Sequence, residues 1–247
     1  MRKAGKLIFI FFLFFSFSLA RAEAALEGDK DGVPDADEIN VYHTDPLKLD
    51  TDGDGFGDGA ELRAGFSPLD KRPLKLEQAD YDKDGLSDRM ELNFKTNLAN
   101  PDTDGDGFKD GDEIKAGFDP LAKGKKLLPK RIEVNISHQE LNYFLGVVRL
   151  GTFKVSSGKN DSTPRGHFKI ADKSLKAWSH YGLWMPLWMG LNDGKVGIHQ
   201  LPYWPNGYVE GEAHLGRPVS HGCIRLGKAE AKILYDWTPV GTGVFIY

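Results

Sequence analysis

The chain has 247 residues, 28% of them charged and 40% apolar, and a single cysteine. That balance excludes global disorder, and one cysteine excludes an intramolecular disulfide framework and a Cys-pair zinc site. The net charge of −4 hides a division, because residues 25–124 hold 26 acids against 12 bases while residues 125–247 hold 16 bases against 9 acids. Segregation on this scale points to separate modules with different partners.

Residues 1–22 have the order of a secretory signal peptide. Arg2, Lys3 and Lys6 precede an apolar run from Leu7 to Leu19, and Ala20-Arg21-Ala22 supplies an A-x-A cleavage site. The run is short against the ~20 residues of a spanning helix. No cysteine follows it, so a lipid anchor is excluded. The mature chain is expected in the periplasm or cell wall, with no membrane span after cleavage. A lone thiol retained in such an oxidising setting points to chemistry.

Residues 27–121 carry four acidic loops in register. Oxygens fall at loop positions 1, 3, 5, 9 and 12, with glycine at 6. The first loop supplies Glu27, Asp29, Asp31, Asp35 and Glu38; the second supplies Asp50, Asp52, Asp54, Asp58 and Glu61. The third supplies Asp80, Asp82, Asp84, Asp88 and Glu91, and the fourth Asp102, Asp104, Asp106, Asp110 and Glu113. This is the spacing of an EF-hand-type calcium loop: hard oxygens on alternate residues, a sharp turn at glycine, and a glutamate closing the shell from the start of a helix. The bland alternative, a solvated acidic linker, does not repeat one pattern four times. The flanking helices are too short for full EF-hands and stop at Gly or Pro, as at Gly65 and Gly117. Asp50 and Asp102 stand in equivalent places, so the array is a duplicated pair. It resembles thrombospondin type-3 and related bacterial calcium repeats, and the resemblance implies structural Ca²⁺ as the module's core. Apolar residues between the loops are sparse, chiefly Phe56, Phe66, Phe94, Phe108 and Phe118.

Residues 122–130 form a basic linker ending near Pro129, and residues 131–247 change texture. Alternation at Ile132–Ile136, Leu141–Val148, His167–Ile170, Lys195–His199 and Gly243–Tyr247 predicts short strands, with turns at Ser157-Gly158, Asn192-Asp193-Gly194 and Pro205-Asn206-Gly207. One helix follows the cysteine, with Ala229, Ile233 and Trp237 at helical spacing. The chemistry centres on Ser220-His221-Gly222-Cys223-Ile224-Arg225. A Cys–His pair is the minimum for thiol acyl transfer, and Gly222 lets the backbone approach a bound carbonyl, so that N–H groups can face an oxyanion. His199, at the end of a predicted strand, is a second histidine within reach of that chemistry.

The six-residue stretch resembles the signature of the L,D-transpeptidases with the YkuD-type catalytic domain. Ser156-Ser-Gly-Lys159, Ser162-Thr-Pro-Arg-Gly-His-Phe168, Gly197-Ile-His199 and Pro239-Val-Gly-Thr-Gly-Val244 agree in order. The resemblance implies a mostly-β sandwich with a few helices, Cys223 as nucleophile and His199 as general base. Ser220, His221, Gly222 and nearby N–H groups would shape the thiolate and oxyanion sites. The implied partners are peptidoglycan stem peptides: the thiolate expels a terminal D-alanine, and an amine on a neighbouring stem takes the acyl group in a 3→3 cross-link. Water as acceptor would make a carboxypeptidase, and a cell-wall protein amine an anchoring enzyme. No cofactor is expected for catalysis and no nucleic-acid partner.

The sequence departs from the family in two places. Twenty residues separate His199 from Ser220, and the enlarged loop carries Tyr203, Trp204 and His214. Thr163-Pro-Arg165-Gly stands where the family has Thr-Pro-Thr-Gly. Arg225, Tyr203 and Trp204 are candidate substrate contacts, although Arg225 is equally suited to a structural ion pair, and His214 is expected to be dispensable. The rival reading, from another class, is a non-catalytic calcium-binding wall protein, which would need neither Cys223 nor His199. The two modules are expected to fold independently.

Overall fold

The computed structural model describes residues 26–192 and 194–247. The leader over 1–22 lies outside the described residues.

The acidic loops fold as the spacing demands. Each glutamate at position 12 sits in or beside a short helix: α1 (Asp35–Asp37), which runs into a π turn at Glu38–Tyr42, α2 (Asp58–Ala64), α3 (Asp88–Phe94) and α4 (Asp110–Ala116). Gly65 and Gly117 end α2 and α4 with φ of 78° and 89°, where a side chain is disfavoured. Apolar side chains beyond the five phenylalanines stabilise the module: Val33, Leu69, Leu76, Ala79, Leu86, Leu98 and Ile114 are buried, whereas Phe56 and Phe108 are exposed.

The C-terminal region closes into an eight-stranded barrel in the order β1-β2-β3-β7-β6-β5-β4-β8. The strands are β1 (Lys130–Asn135), β2 (Glu140–Leu145), β3 (Val148–Ser156), β4 (Gly166–Trp178), β5 (Trp184–Leu191), β6 (Gly197–Gln200), β7 (Ile224–Leu226) and β8 (Gly243–Ile246). Closure comes from partner switching. The start of β4 pairs with β8 and the remainder with β5, across an irregularity between Ile170 and Asp172. Strand β3 likewise leaves β2 for β7 at Val155 and Ser156. The core holds Ile132, Leu141, Ile170, Met189, Ile198, Ile224 and Leu226, all at most 1% exposed.

Helix α5 (Lys228–Trp237) follows the cysteine as expected, but its buried face differs. Ala231 and Leu234 are the fully buried residues, and Ile233 is 50% exposed. Packing against β5 and β6 selected the stripe three residues apart over the one four apart.

The segment 122–130, expected as a linker, is part of a joint. Phe118 bridges Leu127, as Phe66 bridges Lys75 one repeat earlier. The Leu128 N–H donates to Gly117 O at 2.9 Å, as Leu76 N–H does to Gly65 O at 3.0 Å. In the first repeat the next element is the third loop, whose Arg89 N–H reaches Leu76 O. In the second it is the barrel, whose Gly146 N–H reaches Pro129 O at 2.8 Å. The barrel docks where another loop pair would stack. The joint has its own apolar cluster: Leu86, Phe94 and Ile114 from the repeats against Leu145 and Val148 of the β2–β3 hairpin, flanked by Met90, Leu128 and Leu150.

Candidate active site and acidic loops

Parallel strands β6 and β7 pair Ile198 with Ile224 and His199 with Arg225. Ile198 and Ile224 point into the core, both at 0% exposure. Strand alternation therefore sends Cys223, His199 and Arg225 to the other face together. All three line one cleft of about 780 Å³ with Ser220, His221, Ser162 and Lys195.

His199 is 1% exposed. Its Nδ1 lies 2.6 Å from the carbonyl of Gln200, which only accepts, so Nδ1 carries the proton and Nε2 presents the lone pair. Burial pushes its pKa down to about 4, opposed by the Gln200 bond and helped by the nearby Arg225 charge. The ring is therefore neutral near pH 7 and able to take a proton. Trp188 stacks over it with centroids 5.9 Å apart.

The loop before Cys223 is tied on every side. Ser220 N–H donates to Ser157 O at 3.0 Å, and Lys159 N–H donates to Ser220 O at 2.9 Å. Ser220 Oγ donates to the carbonyl of Cys223 at 2.6 Å and accepts Gly222 N–H at 3.0 Å. Gly222 has φ 141°, open to glycine alone. Ser157 is itself held by Gln139, which accepts its N–H and donates to its Oγ. His221 is exposed on the cleft rim and stacks on Tyr181 at 4.0 Å.

Arg225 is 6% exposed and donates to Glu210 at 2.6 Å, while its buried Nε has no hydrogen-bond partner. Tyr203 and Trp204 do not line the cleft. Tyr203 bridges Trp184 and Val209, and Trp204 N–H closes the Pro205-Asn206-Gly207 turn onto Tyr208 O. Their backbones brace the enlarged loop, and the aromatic wall comes from Trp178, Tyr181 and Trp188. Tyr181 and Glu210 escaped the sequence reading because hairpin and loop geometry brings them to the site, with no local motif to mark them. His214 lies outside the cleft lining, 3.6 Å from Glu210.

The roles of the two histidines separate by measurement. His199→Ala is expected to cut turnover by about 10²–10⁴, and His214→Ala to leave it near normal; the reverse pattern would reassign the base. With His199 held near a pKa of 4, the acid limb that it governs should fall near pH 4, not near 6.5. The unfolded imidazole protonates first as pH drops, so the stability present above about 6.5 is lost progressively toward pH 4.

The acidic loops share one internal plan. The position-9 carboxylates Asp35, Asp58, Asp88 and Asp110 each accept the position-2 N–H, from Gly28, Thr51, Tyr81 and Thr103. They close the loop from within. Positions 1, 3 and 5 bring carboxylate oxygens within 4.8 Å of one another in all four loops. Asp29, Asp52, Asp82 and Asp104 at position 3 each keep one buried oxygen without a partner, as do Glu38, Glu61 and Glu113 at position 12, and Glu91 keeps both of its own. Burial and neighbouring aspartates push Glu61 up to about 8 and Glu91 up to about 9. Inward oxygens lacking any donor are what a hard cation satisfies, so this donor set fits calcium. Loops pair through Asp31, which accepts Gly59 N–H, and Asp84, which accepts Gly111 N–H, both at 2.6 Å.

Residues 129–246 match the family of L,D-transpeptidase catalytic domains, and residues 29–49, 50–70 and 102–123 match the bacterial TSP3 repeat. A relative in Bacillus licheniformis, bearing the name "Putative L,D-transpeptidase YkuD", is 27% identical over 60% of this chain and 82% of its own. Another in Bacillus subtilis, "Putative L,D-transpeptidase YqjB" by name, is 30% identical over 46% of this chain and 68% of its own. An L,D-transpeptidase structure from Mycobacterium smegmatis aligns with a TM-score of 0.43 at 22% identity, covering 50% of this chain and 60% of that one. The chain belongs to the L,D-transpeptidase family, with TSP3 repeats N-terminal to the catalytic domain.

Proposed function

We propose that this chain is an exported cysteine L,D-transpeptidase acting on peptidoglycan stem peptides in the periplasm or cell wall. The carrying observation is the shared strand face that brings Cys223 and a neutral, Nδ1-protonated His199 to one cleft. His199 Nε2 takes the thiol proton, and the sulfur bonds to the carbonyl carbon of the donor peptide. The carbonyl π pair moves to oxygen, then returns as the C–N bond breaks. The departing D-alanine nitrogen takes the proton from His199, leaving a thioester. A stem amine, a wall-protein amine or water then attacks the thioester. The Arg225 Nε is the donor available to a substrate carboxylate. Incubating the protein with a disaccharide-tetrapeptide should release D-alanine. If the intact wild-type chain releases none while still binding wall, it is a non-catalytic wall-binding protein.

The four loops are proposed to hold Ca²⁺ through positions 1, 3, 5 and 12, supported by the partnerless oxygens of positions 3 and 12. The ion supplies charge neutralisation and coordination to the fold, and the acyl transfer proceeds on protein groups alone.

A further inference from the structure

We propose that Thr163 is the positioning residue that sets the orientation of the Gly222–Cys223 peptide, and through it the amide beside the nucleophile, for acyl transfer. The inference rests on the cysteine-transpeptidase reading and assigns that site one further working part.

Thr163 is 1% exposed and lies just behind the cleft, between the lining residues Ser162 and Pro164. Its Oγ1 donates to the carbonyl of Gly222 at 2.8 Å and accepts the N–H of Gly158 at 2.7 Å. A hydroxyl has one proton, so the donation to Gly222 is its only one. The peptide is trans, since the described residues contain no cis bond. In a trans unit the C=O and N–H point in opposite directions. Tying the Gly222 carbonyl to Thr163 therefore directs the Cys223 N–H away from Thr163.

The tie matters because glycine does not fix its own peptide planes. Gly222 at φ 141° sits in a region where rotation meets little steric resistance. Ser220 Oγ already takes the Gly222 N–H, which fixes one side of this residue. Thr163 fixes the other. Thr163 is in turn fixed by Gly158, where an added Cβ would lie 2.8 Å from Thr163 N and 2.9 Å from Gly222 Cα. Gly158 also bridges Ser220 in parallel. The nucleophile's loop is thus held in one state by a threonine from a distant segment. The developing oxyanion of an acyl transfer needs preorganised N–H groups. Alkylation of the same thiolate by an iodoacetamide carbon develops no oxyanion, and its rate follows thiolate fraction and access.

That difference supplies the test, run on the full chain. Thr163→Val keeps the shape and removes the hydroxyl. D-alanine release from the tetrapeptide should fall by about 10²-fold in kcat with KM within about threefold. Alkylation of Cys223 by iodoacetamide should stay within about threefold of wild type, and Thr163→Ser should restore turnover. Equal slowing of both reactions would show that Thr163 merely maintains the loop or the thiol, and would overturn the proposal. Unchanged turnover in Thr163→Val, or failure of Thr163→Ser to restore it, would overturn it as well. If Thr163→Val does not fold, Thr163→Ala carries the same comparison, with alkylation reporting an intact site. A wild-type chain that alkylates but releases no D-alanine fails the underlying reading; wild-type turnover with an indifferent Thr163 fails this inference alone.

Discussion

Cys223→Ala and Cys223→Ser should abolish D-alanine release while the protein stays folded. The expected loss is about 10⁴–10⁶-fold in kcat, the range seen when a covalent nucleophile is removed. Serine fails with alanine because its hydroxyl is far less acidic than a thiol, and a base held near a pKa of 4 is too weak to make up the difference. The stability cost should be about 1 kcal/mol, since Cys223 is only partly buried at the edge of the core. Intact mass after a carbapenem adds a second reading: the wild-type chain should gain one acyl adduct and Cys223→Ala none. Normal turnover by Cys223→Ala would end the proposed mechanism, because no other cysteine exists to replace it.

The features visible in the sequence were those built from contiguous residues. The six-residue stretch at Ser220–Arg225 and the acidic loops are local, so spacing alone displayed them. The joint roles of His199 and Cys223 were legible through the family resemblance, whereas strand β7, which sets them on one face, was not. What stayed hidden depends on long-range packing. Strand β5 reads Trp184-Met-Pro-Leu-Trp-Met-Gly-Leu191, an apolar run interrupted by Pro186 with no alternation to mark it as a strand. Only the pairing of β5 with β6 sets Trp188 against His199. Barrel closure depends on the parallel pairing of β8 with β1, which no local pattern announces. The position-9 aspartates carried the same composition as ligands, and only the geometry shows them bound to the N–H of position 2. Leu145 and Val148 looked like ordinary strand residues until the structure set them against Leu86, Phe94 and Ile114.

That last contact changes what calcium removal should do. Independent modules would show one calcium-sensitive transition in calorimetry and one indifferent to it. The shared cluster predicts that chelation by EGTA lowers both. Without the ion, the buried Glu91 and its neighbours face one another uncompensated, and α3 and α4, which position Phe94 and Ile114, lose their anchor. The barrel then exposes Leu145 and Val148, now at 0% and 9%. Uncovering two such side chains removes about 3–6 kcal/mol. For a domain of this size the barrel transition should fall by about 10 °C or more. Catalysis at room temperature should survive, because the cleft lies at the far end of β3. Val148 sits at the joint and Ser156 at the active-site loop, roughly 25 Å apart along an extended strand. Leu145→Ala separates coupling from general damage. In the calcium-loaded chain it should cost about 2–5 kcal/mol, and after chelation clearly less, because the contact is already lost. Equal costs in both states, or a barrel transition untouched by EGTA, would mean that the joint transmits nothing and that the modules melt as strangers.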